Sequence, residues 1–208
     1  MRLDKTCWCV VPAAGVGSRL GASCPKQYLM VHDKKLIDYS LSTLLSCDCL
    51  ERIVVMLSAG DVAWSETVSA QQEKIVTAVG GDTRAHSVLN GLYALEGAAE
   101  EDDWVLVHDA ARPCLTSDML KPLFAAVAGH PVGGLLGVPV VDTVKRVSFQ
   151  GDVEKTLPRE NIWLAQTPQI FRYRLLREAL LSATEGGHII TDEASAIELA
   201  GYQPKMVL

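Results

Sequence analysis

Apolar residues along the chain follow two patterns, short continuous runs and longer stretches with helical spacing. Continuous runs predict buried strands, and they occur at residues 7–11, 52–57, 74–79, 104–108 and 133–138. Spacings of three and four residues predict amphipathic helices between these strands. The apolar stripes are Ile37, Leu41, Leu44 and Leu45; Val88, Leu92 and Leu95; and Met119, Leu120, Leu123, Phe124 and Val127, with Ser117 as the expected N-cap of the last. Residues 175–181 and 194–199 also predict helices, and residues 204–208 predict a strand.

This alternation of strands and helices predicts the fold class. Repeated βαβ units give an α/β fold with a doubly wound, mostly parallel sheet and helices on both faces. With 208 residues, the chain is expected to form a single domain. Ligands of such sheets bind at the carboxyl ends of the strands. The residues that follow the predicted strands are therefore the first candidates for a functional site.

Residues 142–158 interrupt the alternation. Two short strand-like segments, 144–147 and 153–157, flank Gln150-Gly151-Asp152, which predicts a β-hairpin with a glycine-containing turn. A lone hairpin has too little apolar surface to be stable in water. We therefore expect this arm to pack on a second subunit and to form a homodimer; the alternative is that it lies on its own domain.

Composition and charge narrow the classes of partner. The net charge of −6 argues against nucleic acid as a partner. No apolar run approaches the roughly 18 residues of a membrane span, so no membrane partner is expected either. The six cysteines include no C-x-x-C pair and are expected to be reduced core thiols. Together these features predict a cytoplasmic protein.

The most informative stretch is the loop after the first predicted strand, residues 13–27. It is rich in small residues, which lets backbone N–H groups approach a ligand and form a cradle for phosphate. It contains the cations Arg19 and Lys26, and no Asp or Glu occurs between Thr6 and His32 in a chain with 25 acidic residues. This locally cationic loop predicts an anion site. A glycine-rich turn without a ligand is the alternative.

The common phosphate-binding motifs do not fit this loop. A dinucleotide fingerprint has the spacing G-x-G-x-x-G, but Leu20 occupies the third glycine position after Gly15 and Gly17. A Walker A motif requires a glycine followed by Lys and Ser or Thr, and none occurs here. The loop is therefore predicted to be a phosphate cradle of another kind.

Two further polar clusters follow predicted strands. In Gly80-Gly81-Asp82-Thr83-Arg84, the glycines allow close backbone approach, and Asp82 is a candidate for base or ribose recognition or, with Thr83, for a helix cap. Asp109 follows the strand at 104–108 and is a candidate Mg²⁺ ligand opposite a triphosphate cradle, because Mg²⁺ usually takes one or two carboxylates and phosphate oxygens. It could instead cap a helix or pair with Arg112. His108 is expected to be structural and to face away from Asp109.

The clusters together resemble one enzyme family. The blocks that carry the resemblance are Ala13-Ala14-Gly15-x-Gly17-x-Arg19 with Pro25-Lys26-Gln27, Gly80-Gly81-Asp82-x-Arg84, residues 107–113, Asp142-Thr143-x-Lys145, Thr167-Pro168-Gln169 and residues 191–195. In this order they resemble the 2-C-methyl-D-erythritol 4-phosphate cytidylyltransferases, a branch of the nucleotide-sugar type nucleotidyltransferases with a Rossmann-like fold. The first loop alone indicates only the superfamily, whereas the full set covers almost the whole chain.

The resemblance implies a reaction and a set of site residues. CTP would donate a cytidylyl group to methylerythritol phosphate and release pyrophosphate, with Mg²⁺ as cofactor. The implied nucleotide-binding residues are Ala13, Ala14, Gly15, Val16, Gly17, Gly81, Asp82, Ser87 and Ala110, and the implied catalytic residues are Arg19, Lys26 and Arg159. The implied acceptor contacts are Asp109, also the metal ligand, with Arg112, Thr143, Arg159, Thr167 and Thr191. Thr143 and Arg159 would reach the acceptor of the neighbouring subunit from the arm.

One departure from the family and three rival functions bear on this interpretation. The family continues past the equivalent of Leu208 with a segment that includes a lysine near the acceptor phosphate, so a chain that ends there is expected to bind its acceptor more weakly. The nearest rival is a cytidylyltransferase for ribitol 5-phosphate or a similar polyol phosphate. A silent nucleotide-binding domain would not require Arg19, Lys26 and Asp109 together. A nicotinamide oxidoreductase is disfavoured by Leu20.

Overall fold

A seven-stranded sheet forms the centre of the structure, a computed structural model that describes residues 3–15 and 24–208. The strands in chain order are β1 (Cys7–Pro12), β2 (Met30–Val31), β3 (Lys34–Lys35), β4 (Leu50–Leu57), β5 (Ile75–Val79), β6 (Trp104–Val107), β7 (Gly133–Pro139), β8 (Val144–Val147), β9 (Val153–Leu157), β10 (Trp163–Arg172) and β11 (Lys205–Val207). The α-helices are α1 (Leu36–Leu45), α2 (Arg84–Tyr93), α3 (Ser117–Val127), α4 (Tyr173–Glu185) and α5 (Glu193–Leu199). Short 3-10 helices lie at Lys26–Tyr28, Trp64–Glu66 and Val68–Gln71.

The strand order explains where a ligand can bind. The order in the large sheet is β11-β7-β10-β6-β1-β4-β5, and the strands are parallel except for β10, which runs antiparallel to both β6 and β7. From β1 the chain passes to β4 and β5 on one side and then crosses to β6 on the other. This reversal creates a crevice at the carboxyl end of β1, where ligands of such sheets bind. The predicted fold class is confirmed.

Alternation along the strands divides the core into two layers. In β1, Cys7, Cys9 and Val11 belong to the cluster that includes α1 and α3, while Trp8 and Val10 belong to the cluster that includes α2, α4 and α5. Successive side chains of a strand point to opposite faces, so β1 is buried on both sides. A strand of this kind is continuously apolar, which is why β1 is easy to locate in the sequence.

All five predicted central strands and the predicted helices are present, but β10 was not predicted. The structure places the polar residues 166–169 inside this strand. The apolar pattern fails here because the pairing of β10 with β7 shifts between Ala165 and Gln169, and because Pro168, which follows a cis peptide bond, cannot donate a ladder hydrogen bond.

The expected N-cap at Ser117 is wrong. Ser117 is the first residue of α3, and Thr116, with an extended backbone, occupies the N-cap position without a side-chain cap hydrogen bond. Ser117 is already helical and so is not in the extended conformation that an N-cap residue adopts.

The predicted hairpin is present as β8 and β9. Val144 pairs with Leu157, and Gly151 in the turn has a φ of 94°, a conformation that favours glycine. Apolar side chains on this arm face solvent in the single chain: Val147 is 54% exposed, Val153 is 62% exposed and Phe149 is fully exposed. In the described part of the chain, no helix is long and apolar enough to cross a membrane.

Candidate active site

The beginning and the end of the loop at residues 13–27 are held together by one side chain. Gln27, in the 3-10 helix after the loop, is buried, and its Nε2 donates to the carbonyl oxygens of Ala13 at 2.6 Å and Gly15 at 3.1 Å. The adjacent Lys26 is exposed. These two hydrogen bonds join the two ends of the loop at the carboxyl end of β1. The exposed Lys26 ammonium takes no part in them and can approach a ligand. Val16, Gly17 and Arg19 lie outside the described residues.

The loop after β5 lies against the loop after β1. A methyl group added at Gly80 would come within 2.5 Å of Cβ of Ala14 and 2.9 Å of Oγ of Ser87, so the backbone approaches too closely for any side chain. Ser87 is buried, and its hydroxyl accepts from the Gly81 N–H at 3.0 Å. Ser87 therefore fixes the backbone of Gly81, directly after the Gly80 backbone that lies beside Ala14.

The structure shows which of Asp82 and Thr83 caps α2. Thr83 is the N-cap of α2, and its side chain accepts from the His86 N–H at 3.1 Å. Asp82 is exposed and does not cap the helix. Its carboxylate is therefore available for a ligand, as the interpretation of Asp82 as a base or ribose contact requires.

An ion-pair network connects the loops after β5 and β6 with the start of α5. Nε of Arg84 donates to Oδ1 of Asp109 at 2.9 Å, and its two terminal nitrogens contact Glu193 at 2.6 and 3.1 Å. The Glu193 side chain is only 1% exposed. On the other side of Asp109, Nε of Arg112 donates to Oδ2 at 3.0 Å. Asp109 thus lies between two guanidinium groups, of which Arg84 is anchored by a buried carboxylate.

The network changes the pKa values of its members. Burial would raise the pKa of Asp109, but the attraction of Arg84 and then of Arg112 outweighs it and lowers the pKa. Burial raises the pKa of Glu193 against the opposing attraction of Arg84. Burial also lowers the pKa of Arg84, but the two carboxylates together raise it. Asp109 therefore remains a carboxylate at neutral pH.

Thr167 and His108 contact the loop after β6 through hydrogen bonds. Oγ1 of Thr167 accepts from the Asp109 N–H at 3.2 Å and lies 3.0 Å from Nδ1 of His108. Nε2 of His108 lies 3.0 Å from the carbonyl oxygen of Arg112. Burial lowers the pKa of His108 to about 4, so the ring is neutral at neutral pH. His108 is thus a buried neutral residue whose ring contacts Thr167 and the carbonyl oxygen of Arg112.

A second buried glutamine joins β10 to the start of α5. Gln169 donates through Nε2 to Oδ2 of Asp192 at 2.8 Å and accepts through Oε1 from the Ala194 N–H at 2.8 Å. Asp192 is the N-cap of α5 and forms a capping box with Ser195. The predicted acceptor residue Thr191 is exposed directly before this cap.

The predicted arm residues lie at the base of the hairpin. Thr143 and Arg159 are exposed and flank the first residue pair of β8 and β9, and the Arg159 guanidinium donates to the carbonyl oxygen of Val141. Both residues therefore lie at the base of the arm.

A pocket of about 400 Å³ opens beside this network. Arg112, Gln166 and Thr167 form its polar rim, and the rest of its lining is mostly apolar: His108, Pro113, Cys114, Leu115, Met119, Leu136, Gly137, Val138 and Leu208. The Arg112 guanidinium donates to Oε1 of Gln166. Arg112 is thus oriented between Asp109 and this pocket.

Asp109 fits a Mg²⁺ site that is completed by substrate. No cluster of three or more His, Cys, Asp or Glu that could hold a metal occurs within residues 3–15 and 24–208. Mg²⁺ is, however, commonly bound by one carboxylate together with phosphate oxygens and water. Both oxygens of Asp109 are paired, but Arg112 is 45% exposed and can be displaced more easily than the anchored Arg84.

The sequence did not reveal all residues that build this site. Ala110 was named for nucleotide binding, and its carbonyl oxygen accepts from Oγ of Ser40 at 2.8 Å, which fixes the backbone of the turn. No structural role was assigned to Gln27, Arg84, Gln169 or Glu193. The resemblance contained all four as parts of its motif blocks, which was the available signal. Glu193 resembled an ordinary acidic residue in the first turn of a helix.

Fold and site geometry define the class of protein. A doubly wound sheet with a glycine-containing cationic loop at its switch point, and a carboxylate at the end of the neighbouring strand, is the arrangement of a nucleotide-binding α/β enzyme. A family model, IspD, described as 2-C-methyl-D-erythritol 4-phosphate cytidylyltransferase, matches residues 7–208. The chain belongs to this family of nucleotidyltransferases.

Individual relatives agree with the family assignment. The 2-C-methyl-D-erythritol 4-phosphate cytidylyltransferase of Azoarcus sp. (strain BH72) is 51% identical over 200 residues, which cover 95% of this chain and 83% of the relative. The enzyme of the same name from Pseudomonas aeruginosa PAO1 is 50% identical over 201 residues, which cover 96% and 86%. The crystal structure of the Francisella tularensis enzyme of this name is 36% identical, with a TM-score of 0.84 and coverage of 98% and 90%.

Proposed function

We propose that this chain transfers the cytidylyl group of CTP to 2-C-methyl-D-erythritol 4-phosphate and forms 4-diphosphocytidyl-2-C-methyl-D-erythritol and pyrophosphate, a step of non-mevalonate isoprenoid biosynthesis. The observation that carries this function is the family match over residues 7–208. The site supports it, because the small-residue loop after β1, the exposed Asp82 and the ion-pair network of Asp109 and Arg112 lie at one sheet edge.

The chemical step needs charge neutralisation more than proton transfer. An oxygen of the acceptor phosphate attacks the α-phosphorus of CTP, the bond to the β-phosphate breaks, and pyrophosphate leaves with the electron pair. The acceptor is a phosphomonoester with a second pKa near 6, so it is already mostly dianionic at neutral pH and requires no general base. Arg19 and Lys26 are assigned to the negative charge that develops on the α-phosphate and the leaving group.

On the acceptor side, Asp109 would hold Mg²⁺, and Arg112 would turn from Asp109 to the acceptor. Bound Mg²⁺ would neutralise part of the triphosphate charge. Arg84 keeps the Asp109 carboxylate ionised and oriented while Arg112 exchanges partners. Thr167 and Thr191 line the acceptor pocket in this assignment, and Gly81, Asp82 and Ser87 form the base and ribose side.

The arm completes the site in a homodimer. Its exposed apolar residues, above all Phe149, provide a surface that a second copy would bury. Thr143 and Arg159 at its base would then reach the acceptor phosphate in the neighbouring subunit. Deletion of residues 144–157 is expected to give monomers in light scattering, and a dimer that survives the deletion would exclude the arm as the interface. All six cysteines are free thiols, as expected in a reducing cytoplasm, but the expectation that all six are core residues is wrong, because only Cys7 and Cys9 are buried and Cys114 is exposed.

The test is pyrophosphate release with Mg²⁺ and CTP, with methylerythritol phosphate and ribitol 5-phosphate offered separately. We expect release with methylerythritol phosphate alone. Release with ribitol 5-phosphate alone would assign the chain to the rival acceptor, and CTP binding without release with either would support a nucleotide-binding domain.

A further inference from the structure

Two buried glutamines hold the two halves of the site. Gln27 is 3% exposed and Gln169 is 1% exposed, and they are the buried glutamines among the described residues. Each lies next to a residue or cap that carries a predicted ligand contact: Gln27 follows Lys26, and Gln169 contacts Asp192 beside Thr191. Neither side chain reaches solvent, so neither is placed to contact a substrate directly.

We propose that Gln27 and Gln169 are positioning residues for different substrates, Gln27 for CTP and Gln169 for the acceptor. The inference rests on the proposed function, because it assigns each glutamine to one substrate of that reaction. Each glutamine would shape its half of the site through backbone and carboxylate groups that it holds in place.

For Gln27, the argument concerns the direction of two peptide groups. Its amide donates both hydrogens to the carbonyl oxygens of Ala13 and Gly15. In a trans peptide the carbonyl and the following N–H point in opposite directions, so the Ala14 N–H points away from Gln27. The two hydrogen bonds also keep the partly negative carbonyl oxygens of Ala13 and Gly15 directed towards Gln27, where they do not repel a triphosphate. They fix the start of the loop and Lys26 in one arrangement.

For Gln169, the amide connects an unusual strand to a helix start. It uses its donor on Asp192 and its acceptor on the Ala194 N–H, which is one of the free donors of the first turn of α5. Asp192 in turn caps α5. Thr167 lies two residues before Gln169 on β10, and Thr191 directly precedes Asp192. Both predicted acceptor threonines are therefore positioned relative to each other through Gln169.

An amide is the side chain that both positions require. It is uncharged, so it is buried at little cost once its hydrogen bonds are made, and it can donate and accept at the same time. A glutamate of the same shape would face two carbonyl oxygens at position 27 and the carboxylate of Asp192 at position 169. Methionine would fill the space without any hydrogen bond.

The experiment compares Gln27→Met and Gln169→Met with the exposed control Gln72→Met. For each protein we measure kcat, both KM values and CTP affinity by calorimetry. Because the methionine variants lose the buried hydrogen bonds, we expect Gln27→Met to raise the KM and Kd of CTP about tenfold and Gln169→Met to raise the acceptor KM about tenfold. The KM of the other substrate should change less than about threefold in each case.

Glutamate and asparagine variants distinguish a loss of positioning from a loss of folding. Gln27→Glu and Gln169→Glu should give larger effects on the same substrate than the methionine variants. If circular dichroism shows that a methionine variant is poorly folded, the asparagine variant at the same position, Gln27→Asn or Gln169→Asn, replaces it. Asparagine keeps the amide but has a shorter side chain, and we expect the same substrate-specific change in KM. Equal changes in both KM values, or values equal to those of Gln72→Met, would overturn the proposal.

The outcome for the wild-type chain separates this inference from the proposed function. A wild-type chain that binds CTP without releasing pyrophosphate would count against the proposed function. Calorimetry would then still show whether Gln27→Met weakens CTP binding, and an unchanged Kd would overturn the proposed role of Gln27. An active wild type with no split among the variants would overturn the inference alone.

Discussion

The proposed nucleotide side and the proposed acceptor side of the site are built in different ways. On the nucleotide side, backbone groups near Ala14, Gly80 and Gly81 come together, and close approach is possible because glycine lacks a side chain. On the acceptor side, charged side chains from distant parts of the chain form a network, with Arg84 between Asp109 and the buried Glu193. The first side therefore depends on small residues, whereas the second depends on complete pairing of charges.

This difference has consequences for folding and for catalysis. Removing an exposed cation from the nucleotide side should affect the reaction without affecting stability. Removing one member of the acceptor-side network leaves a buried charge without its partner, which costs much more than the pair itself contributes. Four substitutions test this contrast, from the largest expected effect to the smallest.

Arg84→Met should give the largest effect because it leaves the Glu193 carboxylate buried and unpaired. We expect a loss of about 3 kcal/mol or more in the free energy of unfolding at pH 7, measured by urea denaturation. The loss should shrink as the pH falls towards 5, since an unpaired buried carboxyl takes up a proton there. Arg174→Met, which removes the exposed pair with Glu101, is the matched control and should cost less than about 1 kcal/mol. Equal losses would contradict the contrast.

Lys26→Ala tests the nucleotide side. The exposed ammonium is assigned to the charge of the transition state, so kcat should fall about a hundredfold or more, while the urea midpoint stays unchanged. The exposed Lys34→Ala in β3 is the control and should leave kcat within about twofold of the wild type. An unchanged kcat in the Lys26 variant would exclude the assigned role.

His108→Asn tests the neutral histidine under the acceptor side. The folded-state pKa of His108 is lowered to about 4 by burial, compared with about 6.5 in an unfolded chain. The unfolded state therefore takes up a proton first, and the stability that neutral His108 provides above pH 6.5 is lost as the pH falls towards 4. Linkage predicts that the wild type loses about 2 kcal/mol through this group between pH 8 and pH 5.

In the His108→Asn variant, the loss of stability that this histidine causes between pH 8 and pH 5 should be absent. His188 is exposed, and His188→Asn should retain that loss. Urea unfolding at pH 8 and pH 5 measures the difference. Parallel pH profiles for the wild type and the His108 variant would show that the ring is not buried as a neutral group.

Arg159→Ala should give the smallest effect of the four. The side chain is exposed at the base of the arm, and its assigned partner is the acceptor phosphate in the neighbouring subunit. We expect the acceptor KM to rise about tenfold with little change in the CTP KM, and Arg146→Ala on the same arm to leave both unchanged. A similar rise in both KM values for the Arg159 variant would argue against an acceptor role.

The parts of this site that follow from local sequence were predictable. β1, β4, β5, β6 and β7 are nearly continuous apolar runs, and the loop at residues 13–27 combines small residues with two cations in an acid-free window. The position of Asp109 at the end of β6 followed from the same pattern. Its pairing with Arg112 was one of the alternatives that the sequence offered, but its pairing with Arg84 was not, since a sequence with several arginines does not indicate which of them lies nearby.

β10 is a strand that the local sequence pattern did not predict. Its polar residues at 166–169 and its irregular pairing with β7 hide it from any periodicity, yet it fills the space between β6 and β7 and carries both Thr167 and Gln169. Its place was decided by the two neighbouring strands, which pair with it on both sides.

Neighbouring residues and motif spacing were enough to predict the five apolar central strands, the helices, the position of the cationic loop at residues 13–27 and the family, but not β10. Only the tertiary structure decided that Arg84 pairs with Glu193, 109 residues away, that Gln27 closes the loop, and that Gln169 holds the start of α5. Buried polar groups must find partners once water is excluded. Which partners they find depends on the packing of the whole sheet.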